Sequence, residues 1–375
     1  MTEVSVVIPC LNEEQSIEKC IVKALLSFNK SGLTGEVIVV DNGSTDRSVE
    51  ISKKAGARVI SESQKGYGSA LRRGIDEALG RYIVMADGDD TYDFLETGKF
   101  VELLKKGNDL VMGSRFRGNI LPGAMTWSHR YIGNPILSGM LRLFFGGTVS
   151  DSHCGLRAFT KEAYKRMDLH TTGMEFASEM VIHAMKKKLR ITEIPITYYA
   201  RQGESKLASF RDAWRHMRFM LLYSPSYLFL WPGMLLLLVS IATAARLLFG
   251  PIYFLDRSWD IHVMVFSSMF MLLGWQIFSL GLAAKSFAFA INLEQEGKTK
   301  TLLRFINLER ALLAGSLLFA AGAAMVIYIL IRWAANDFGE LAQIKTGIFA
   351  LSLIVIGLQT VFTAFLVSMF QIKYK

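Results

Sequence analysis

Cysteine, proline and charged residues are all scarce in this sequence. The 375 residues include 3 cysteines and 7 prolines, and Asp, Glu, Lys and Arg together make up only 20% of the chain. Cys10, Cys20 and Cys154 have neither the number nor the spacing of a disulfide framework or a zinc site, so a reducing compartment is expected. The first residues lack the basic segment and apolar stretch of a secretory signal, so the polar part of the chain is expected to be cytoplasmic.

Four long stretches contain no Asp, Glu, Lys or Arg at all. They contain 27, 24, 21 and 27 residues. A bilayer core of about 30 Å needs roughly 20 helical residues, so each stretch is long enough to span a membrane. Because no such stretch occurs in the first 218 residues, the sequence predicts one polar domain followed by an all-α transmembrane domain of four helices. The spans are expected at about 222–245, 261–284, 311–331 and 347–371.

Lys and Arg are distributed unequally among the connections of these spans. The segment before the first span, the second loop and the tail carry 12 of them, whereas the first and third loops carry 4. Because cytoplasmic loops are enriched in Lys and Arg, the counts predict a multi-pass integral membrane protein with the polar domain and both termini in the cytoplasm. Much of the +9 net charge lies beside the apolar stretches, where it suits anionic lipid headgroups, so no nucleic-acid partner is expected.

Short β-branched runs alternate with longer amphipathic stretches over the first 115 residues. This alternation predicts an α/β, Rossmann-like domain with a mostly parallel sheet. Ligands of such sheets bind beyond the carboxyl ends of the strands, which is where the polar clusters of this sequence fall. The predicted strands are 4–8, 36–40, 58–60, 82–85 and 109–112.

The most informative cluster is Asp87-Gly88-Asp89, which follows an apolar strand directly. Two carboxylates one residue apart on an extended segment lie near each other, and Gly88 allows the backbone to turn tightly. Hard oxygen ligands in this arrangement suit Mg²⁺ or Mn²⁺, which complete their shells with water and substrate phosphate. Glycines and cations in 65–74 add a weak phosphate-binding segment at a helix start, without the spacing of a Walker A motif.

Arginine recurs in turn-forming segments further along the chain, and arginine beside Gly and Ser is typical of anion contacts. Nearer the first span, cations and Trp214 in 211–218 predict an interfacial helix; a plain juxtamembrane anchor is the alternative. The arginine-containing turns are 113–117, 129–130, 151–157 and 201–206.

These motifs together carry a resemblance to a known family. In order, they are the segment 6–14 (VVIPCLNEE), the segment 40–46 (VDNGSTD), the acidic pair, 113–115 (GSR), 151–157 (DSHCGLR) and 203–206 (GESK). The chain resembles family 2 inverting glycosyltransferases of the GT-A fold over roughly residues 3–233. The last motif points to the polyprenyl-phosphate branch, which includes dolichol-phosphate mannose and glucose synthases.

The resemblance implies roles for individual residues. Asp87 and Asp89 would hold Mg²⁺ or Mn²⁺ on the donor diphosphate, and with Arg115 and Arg130 they form the implied catalytic set. Asn42 departs from the second acid common in the family. The implied nucleotide-binding residues are Pro9, Leu11, Asn12, Glu13, Asp41, Asp87 and Gly88. The implied acceptor and phosphate contacts are Arg115, Arg130, Asn134, Arg201, Ser205 and Lys206.

The implied activity is inverting transfer of a sugar from UDP-glucose or GDP-mannose to a polyprenyl or dolichyl phosphate at the cytoplasmic membrane face. A processive polysaccharide synthase and a catalytically inactive membrane scaffold are the alternatives. The expected partners are a nucleotide sugar, a polyprenyl phosphate lipid and the membrane; small-residue clusters such as 311–324 would also permit a homo-oligomer. The predicted parts are a GT-A glycosyltransferase domain at 1–210, an interfacial segment at 211–226 and a transmembrane domain at 227–375.

Overall fold

The chain divides into two compact units, residues 1–220 and residues 221–375. This division falls inside the predicted interfacial segment, and the predicted domain boundaries stay predictions. The computed structural model describes residues 2–202, 209–290, 307–341 and 343–371, without the side chains of residues 209–212.

Seven strands of the first unit form one sheet. They are β1 (Val4–Cys10), β2 (Gly35–Asp41), β3 (Arg58–Ser61), β4 (Tyr82–Met85), β5 (Leu110–Ile120), β6 (Arg157–Thr160) and β7 (Ile191–Tyr198). Their order across the sheet is β3-β2-β1-β4-β6-β5-β7. The inner strands β1, β2 and β4 are rich in Val and Ile and are almost entirely buried, as expected for a sheet that is covered on both faces.

The strand directions confirm a mostly parallel sheet. Strands β1 to β4 are mutually parallel, β5 is parallel to β7, and only β6 runs antiparallel to its two neighbours. The five strands predicted from the sequence are present, whereas β6 and β7 lie outside that prediction. β6 has only four residues, and Glu193 and Pro195 interrupt the apolar pattern of β7, so neither shows a continuous β-branched run.

Helices lie between most of these strands. The apolar spacing of the first helix explains its position, because Ile17, Ile21, Ala24 and Phe28 share one face and pack into the core of the sheet. It ends at Gly32, which has φ 61°. The helices are α1 (Ile17–Ser31), α2 (Ser48–Lys54), α3 (Tyr67–Glu77), α4 (Thr97–Lys105), α5 (Asn134–Phe145), α6 (Lys161–Met167), α7 (Phe176–Lys186) and α8 (Ser209–Leu222).

Within the described part of the second unit, four helices are long and apolar enough to cross a membrane, as the sequence predicts. Most extend beyond the charge-free stretches, and α10 and α11 include Lys285 and Arg310 near the second loop. The first candidate span begins at Ser226, ahead of its α-helix. The helices are α9 (Trp231–Leu248), α10 (Ile261–Ala290), α11 (Leu308–Ala335) and α12 (Ile344–Gln371).

Glycines allow these helices to pack closely. A Cβ on Gly274 of α10 would lie 2.7 Å from the backbone nitrogen of Leu237, and one on Gly357 of α12 would lie 2.5 Å from that of Phe319. Such close backbone approach is typical of helix pairs in membranes. The first loop forms a hairpin of β8 (Ile252–Phe254) and β9 (Arg257–Trp259), which the sequence analysis does not anticipate.

Candidate active site

Three polar loops meet at one edge of the sheet, because β1, β2 and β4 are parallel neighbours. β1 pairs with β2 as far as Cys10 and Asp41, and with β4 as far as Val7 and Met85. The loops that follow these strands hold the predicted nucleotide and metal residues. The predicted nucleotide and metal residues therefore lie together at the carboxyl edge of the sheet.

Hydrogen bonds fasten the loop after β1 to the loop after β2. Asn12 has a left-handed backbone with φ 52°; its Oδ1 accepts from the Thr45 N–H at 2.7 Å, and its own N–H donates to Ser44 Oγ at 2.9 Å. Asp41 is buried and accepts from the N–H groups of Gly43 and Ser44. Both residues support the loops, and their contact with a nucleotide stays a prediction.

Asn42 links the loop after β2 to the segment 62–66. Its Nδ2 donates to the carbonyl oxygens of Glu62 and Gln64, both at 2.9 Å, and its Oδ1 accepts from the Gly66 N–H at 2.8 Å. Lys65 Nζ donates to the Asn42 carbonyl oxygen at 2.8 Å. The side-chain amide of Asn42, at the position where the resemblance implies a second acid, therefore connects two segments of the structure.

The glycines of 65–74 allow close packing of the chain. Gly66 has φ 140°, and a Cβ on Gly66 would lie 2.2 Å from the carbonyl oxygen of Thr172. A Cβ on Gly68 would lie 2.5 Å from the carbonyl oxygen of Thr171. The N–H of Ser69 donates to the carbonyl oxygen of Thr172. A neighbouring segment therefore packs against the start of α3, and phosphate binding by this stretch stays a prediction.

Asp87 is held by Tyr67 of α3. The Tyr67 hydroxyl donates to Asp87 Oδ1 at 2.9 Å. Burial, followed by the charge of Asp89, raises the pKa of Asp87 to about 7, although the hydrogen bond from Tyr67 lowers it. Burial and the charge of Asp87 raise the pKa of Tyr67 well above its ordinary value, so the phenol keeps its proton and remains a donor.

Arg201 joins the acidic pair to the loop that follows β1. Its NH2 group donates to Glu13 Oε1 at 2.8 Å, and its NH1 group lies 3.4 Å from Asp89 Oδ2. The other oxygen of Asp89 accepts from the Thr91 hydroxyl at 2.6 Å. The structure thus brings together Glu13, Asp89 and Arg201, which the sequence analysis assigns to nucleotide, metal and phosphate respectively.

The turn after the acidic pair is made by Asp90, not by Gly88. Asp90 has φ 61°, whereas Gly88 lies outside the left-handed region. Gly88 is tightly packed, since a Cβ there would lie 3.2 Å from the side chains of Ile8 and Ile17. Asp90 forms an ion pair with Lys23 at 2.6 Å, so this extra carboxylate has its own cation.

Asp87 and Asp89 form a suitable anchor for a divalent cation. Among the described residues, no group of three or more His, Cys, Asp or Glu side chains is arranged to hold a metal ion. Mg²⁺ usually needs only one or two protein carboxylates, since water and substrate phosphate complete its shell. Burial first, and then the charge of Asp89, raises the pKa of Asp87, and a bound cation would favour the charged form of both carboxylates.

Arg115 is buried and paired within the protein. Its Nε and NH2 groups donate to the two oxygens of Asp151, both at 2.7 Å, and its guanidinium lies 5.1 Å from the centre of the Tyr198 ring. Arg115 is 6% exposed and Asp151 is fully buried. This geometry favours a role in positioning the loop at Asp151, in contrast to the predicted contact with an acceptor phosphate.

Arg157 is also structural. It is fully buried and donates to the carbonyl oxygens of Cys154, Ala177 and Ser152. These three bonds occupy its guanidinium with backbone acceptors. The interpretation of this arginine as an anion contact is therefore wrong.

Arg130 and Asn134 lie in a different environment, on an exposed apolar surface. Arg130 belongs to a π-helical turn, His129–Gly133, that leads into α5, and Asn134 is the first residue of that helix. Trp127, Tyr131 and Ile136 are 67%, 58% and 55% exposed beside them. Sequence reasoning missed this surface, although aromatic and aliphatic residues at helical spacing around an arginine are typical of a membrane-contacting segment.

The other predicted site residues are placed as follows. Pro9 lies within β1, opposite Val40 of β2, and Leu11 is exposed just beyond the end of the strand. Ser205 and Lys206 lie outside the described residues. Of the interfacial stretch before the first span, Trp214 is 49% exposed whereas His216 is buried against Ser178 of α7.

Comparison with known proteins places this geometry in a family. Residues 5–168 match the model of the glycosyl transferase family 2 domain, and residues 282–371 match the C-terminal transmembrane region of family 2 glycosyltransferases. The chain is 39% identical over 363 residues to the low-salt glycan biosynthesis hexosyltransferase Agl6 of Haloferax volcanii, covering 96% of this chain and 87% of that protein. The chain belongs to glycosyltransferase family 2.

Two further relatives are similar over just over half of this chain. A dolichyl-phosphate hexose transferase of Haloferax volcanii is 35% identical, over 56% of this chain and 88% of its own length. A dolichol-phosphate mannosyltransferase of Pyrococcus furiosus is 31% identical, over 55% of this chain and 59% of its own length. Among solved structures, glucosyl-3-phosphoglycerate synthase from Mycobacterium tuberculosis, in complex with Mn²⁺, UDP-glucose and phosphoglyceric acid, is 23% identical with a TM-score of 0.48, over 59% of this chain and 79% of that one.

Membership of glycosyltransferase family 2 confirms that the chain is an enzyme that transfers sugars. Its mostly parallel sheet is GT-A-like, and four apolar helices follow it, as the sequence analysis expects. The match to the family's transmembrane region supports an integral membrane protein.

Proposed function

We propose that this enzyme transfers a hexose, with inversion, from UDP-glucose or GDP-mannose to a polyprenyl phosphate at the cytoplasmic face of the membrane. The observation that carries the proposal is the Asp87–Asp89 pair, half-buried at Asp87 and buried at Asp89, which lies at the same sheet edge as Glu13 in a chain whose described residues include four membrane-length helices. Relatives named for transfer to dolichyl phosphate support a lipid phosphate as the acceptor.

The reaction needs one bond to form and one to break. An oxygen of the acceptor phosphate attacks the anomeric carbon, and the bond from that carbon to the nucleoside diphosphate breaks on the opposite face. The nucleoside diphosphate leaves with the electron pair, so the configuration inverts. Because the attacking oxygen is already an anion at neutral pH, the step requires no general base.

The residues around the acidic pair fix its geometry before the donor binds. Tyr67 and Thr91 donate to Asp87 and Asp89 at 2.9 Å and 2.6 Å. Mg²⁺ or Mn²⁺ held by these two carboxylates would neutralise charge on the leaving diphosphate. Fixed hydrogen bonds of this kind reduce the reorganisation that the reaction requires.

The acceptor phosphate has several candidate donors. Arg130 and Asn134 lie on the exposed apolar surface of the first unit, where a lipid headgroup would be met. The Nε–H of Arg201 is buried and has no acceptor among the described residues, which suits a phosphate oxygen. Ser205 and Lys206, outside the described residues, complete the proposed set.

Sugar transfer to a prenyl lipid tests the proposal directly. The full-length protein, with Mg²⁺ and polyprenyl phosphate, is given radiolabelled UDP-glucose or GDP-mannose, and the label is followed into the organic phase. Label in the organic phase is expected with at least one donor. Label found only in a water-soluble polymer would indicate a processive synthase, and no transfer from any nucleotide sugar would indicate an inactive scaffold; either result contradicts the proposal.

Arg130→Ala is expected to raise the apparent KM for polyprenyl phosphate about tenfold, because a charge-assisted hydrogen bond is worth about 1.5–3 kcal/mol. The KM for the nucleotide sugar should change little. Arg142→Ala is the matched control, since Arg142 is an exposed arginine of α5, the helix that follows the turn holding Arg130. A rise in donor KM with unchanged acceptor KM would instead place Arg130 on the donor diphosphate.

Cysteine labelling tests the proposed topology in sealed vesicles. The native cysteines are buried, so they give little background. A cysteine replacing Thr299 in the second loop, outside the described residues, should react only with a reagent that reaches the cytoplasmic side. A cysteine replacing Ser258 in the β8–β9 hairpin should react only from the other side. The reverse pattern would overturn the proposed topology.

A further inference from the structure

A groove opens between the membrane-length helices α10, α11 and α12. α12 packs along both α10 and α11, whereas α10 and α11 diverge on either side of it. The cavity between them has a volume of about 270 Å³. Trp275 and Phe278 of α10 form one wall, Ala311 and Ala314 of α11 form the other, and Ala364 of α12 lies on the floor.

The groove lies at one end of the membrane unit. Its residues come from the second half of α10, the first turns of α11 and the second half of α12, which are the ends of these helices nearest the second loop. The positive-inside rule places that loop in the cytoplasm. By this rule the groove belongs to the cytoplasmic leaflet of the membrane.

Polar groups among the lining residues suit an anionic headgroup. Arg310, in the first turn of α11, contributes a positive charge, and Asn307 lies beside it. The indole N–H of Trp275 is buried and has no hydrogen-bond acceptor among the described residues. A cation in the first turn of α11, together with apolar walls, matches a lipid with one anionic head and an apolar chain.

The size of the groove favours a single narrow chain. A cavity of about 150 Å³ in another protein holds one benzene molecule, so this volume takes roughly ten carbon atoms. The small side chains at 311, 314 and 364 leave space for a branched chain between the helices.

We propose that this groove binds the isoprenoid chain of the polyprenyl phosphate acceptor, with the phosphate on the Arg310 side. The inference rests on the proposed function, since that function supplies a prenyl phosphate as the lipid.

Filling the groove is the kinetic test. Ala314 lines the groove and is exposed there, so Ala314→Phe should block the chain without disturbing the helix core. If about two CH₂ groups of the isoprenoid chain can no longer be buried in Ala314→Phe, the KM for polyprenyl phosphate should rise about tenfold. The KM for the nucleotide sugar and kcat should not change. Ala320→Phe is the matched control, because Ala320 is exposed on the same helix outside the groove. An unchanged acceptor KM in Ala314→Phe would overturn the proposal.

Photocrosslinking tests binding independently of sugar transfer. A photoreactive polyprenyl phosphate is bound to the full-length protein in vesicles, and the labelled peptides are mapped. Labelling of peptides that contain Trp275 and Ala311 is expected, with competition by unlabelled polyprenyl phosphate but not by phosphatidylglycerol. Equal competition by both lipids would identify an ordinary phospholipid groove and overturn the proposal. Crosslinking without any sugar transfer would instead refute the proposed function and retain the groove as a prenyl-lipid site.

Discussion

Asp89→Asn is expected to lower sugar transfer by about a hundredfold to a thousandfold while the protein remains folded. The amide has nearly the same shape, and its oxygen can still accept from the Thr91 hydroxyl that holds Asp89 at 2.6 Å. What the substitution removes is the negative charge beside Asp87 that a divalent cation requires. Turnover with labelled nucleotide sugar and Mn²⁺ binding should therefore fall together.

Asp90→Asn provides the matched control for this change. Asp90 is the next residue and is equally buried, but its carboxylate is paired with Lys23 at 2.6 Å. Its loss should leave Mn²⁺ binding close to that of the unmodified enzyme. Normal turnover by a folded Asp89→Asn variant would remove Asp89 from the metal site.

Asp151→Ala is expected to destabilise the first unit by about 3–5 kcal/mol. The substitution leaves the guanidinium of Arg115 buried, without the two oxygens that it contacts at 2.7 Å. The protein is heated in detergent, and the fraction that stays soluble and monodisperse is measured. For a unit of this size, the midpoint temperature of that loss should fall by about 10 °C. Transfer at low temperature should be affected less than the midpoint, since Arg115 is assigned to positioning.

An exposed ion pair supplies the comparison for Asp151. Lys106 and Glu102 lie 2.6 Å apart, and both side chains are 63% exposed. Glu102→Ala should shift the midpoint by no more than about 2 °C, because exposed pairs contribute little. If Asp151→Ala were as stable as Glu102→Ala, the buried pair would not be a major support of the site.

The parts of the site that follow from local pattern could be predicted. Asp41, Asp87 and Asp89 come directly after β-branched runs, and parallel strands bring such positions to one edge whatever the rest of the chain does. The four apolar helices are equally local features, since length and absence of charge define them. Each of these predictions depends on a window of fewer than thirty residues.

The parts that depend on distant partners could not be predicted. Arg115 meets Asp151 and Arg157 meets Ala177, and no local pattern distinguishes such buried arginines from anion contacts. The same holds for Gly66, whose neighbour Thr172 lies more than a hundred residues away in the chain. Arginine and glycine are ambiguous because each serves both ligand binding and tight packing.

The hydrogen bonds of Asn42 limit how this enzyme can diverge. Its amide both donates to Glu62 and Gln64 and accepts from Gly66, whereas an ionised aspartate can only accept. Replacing Asn42 by the acid common in the family would place a negative charge against the carbonyl oxygens of Glu62 and Gln64. Position 42 and the segment 62–66 should therefore covary between relatives, and exchanging donor preference between enzymes would require both to be transplanted together.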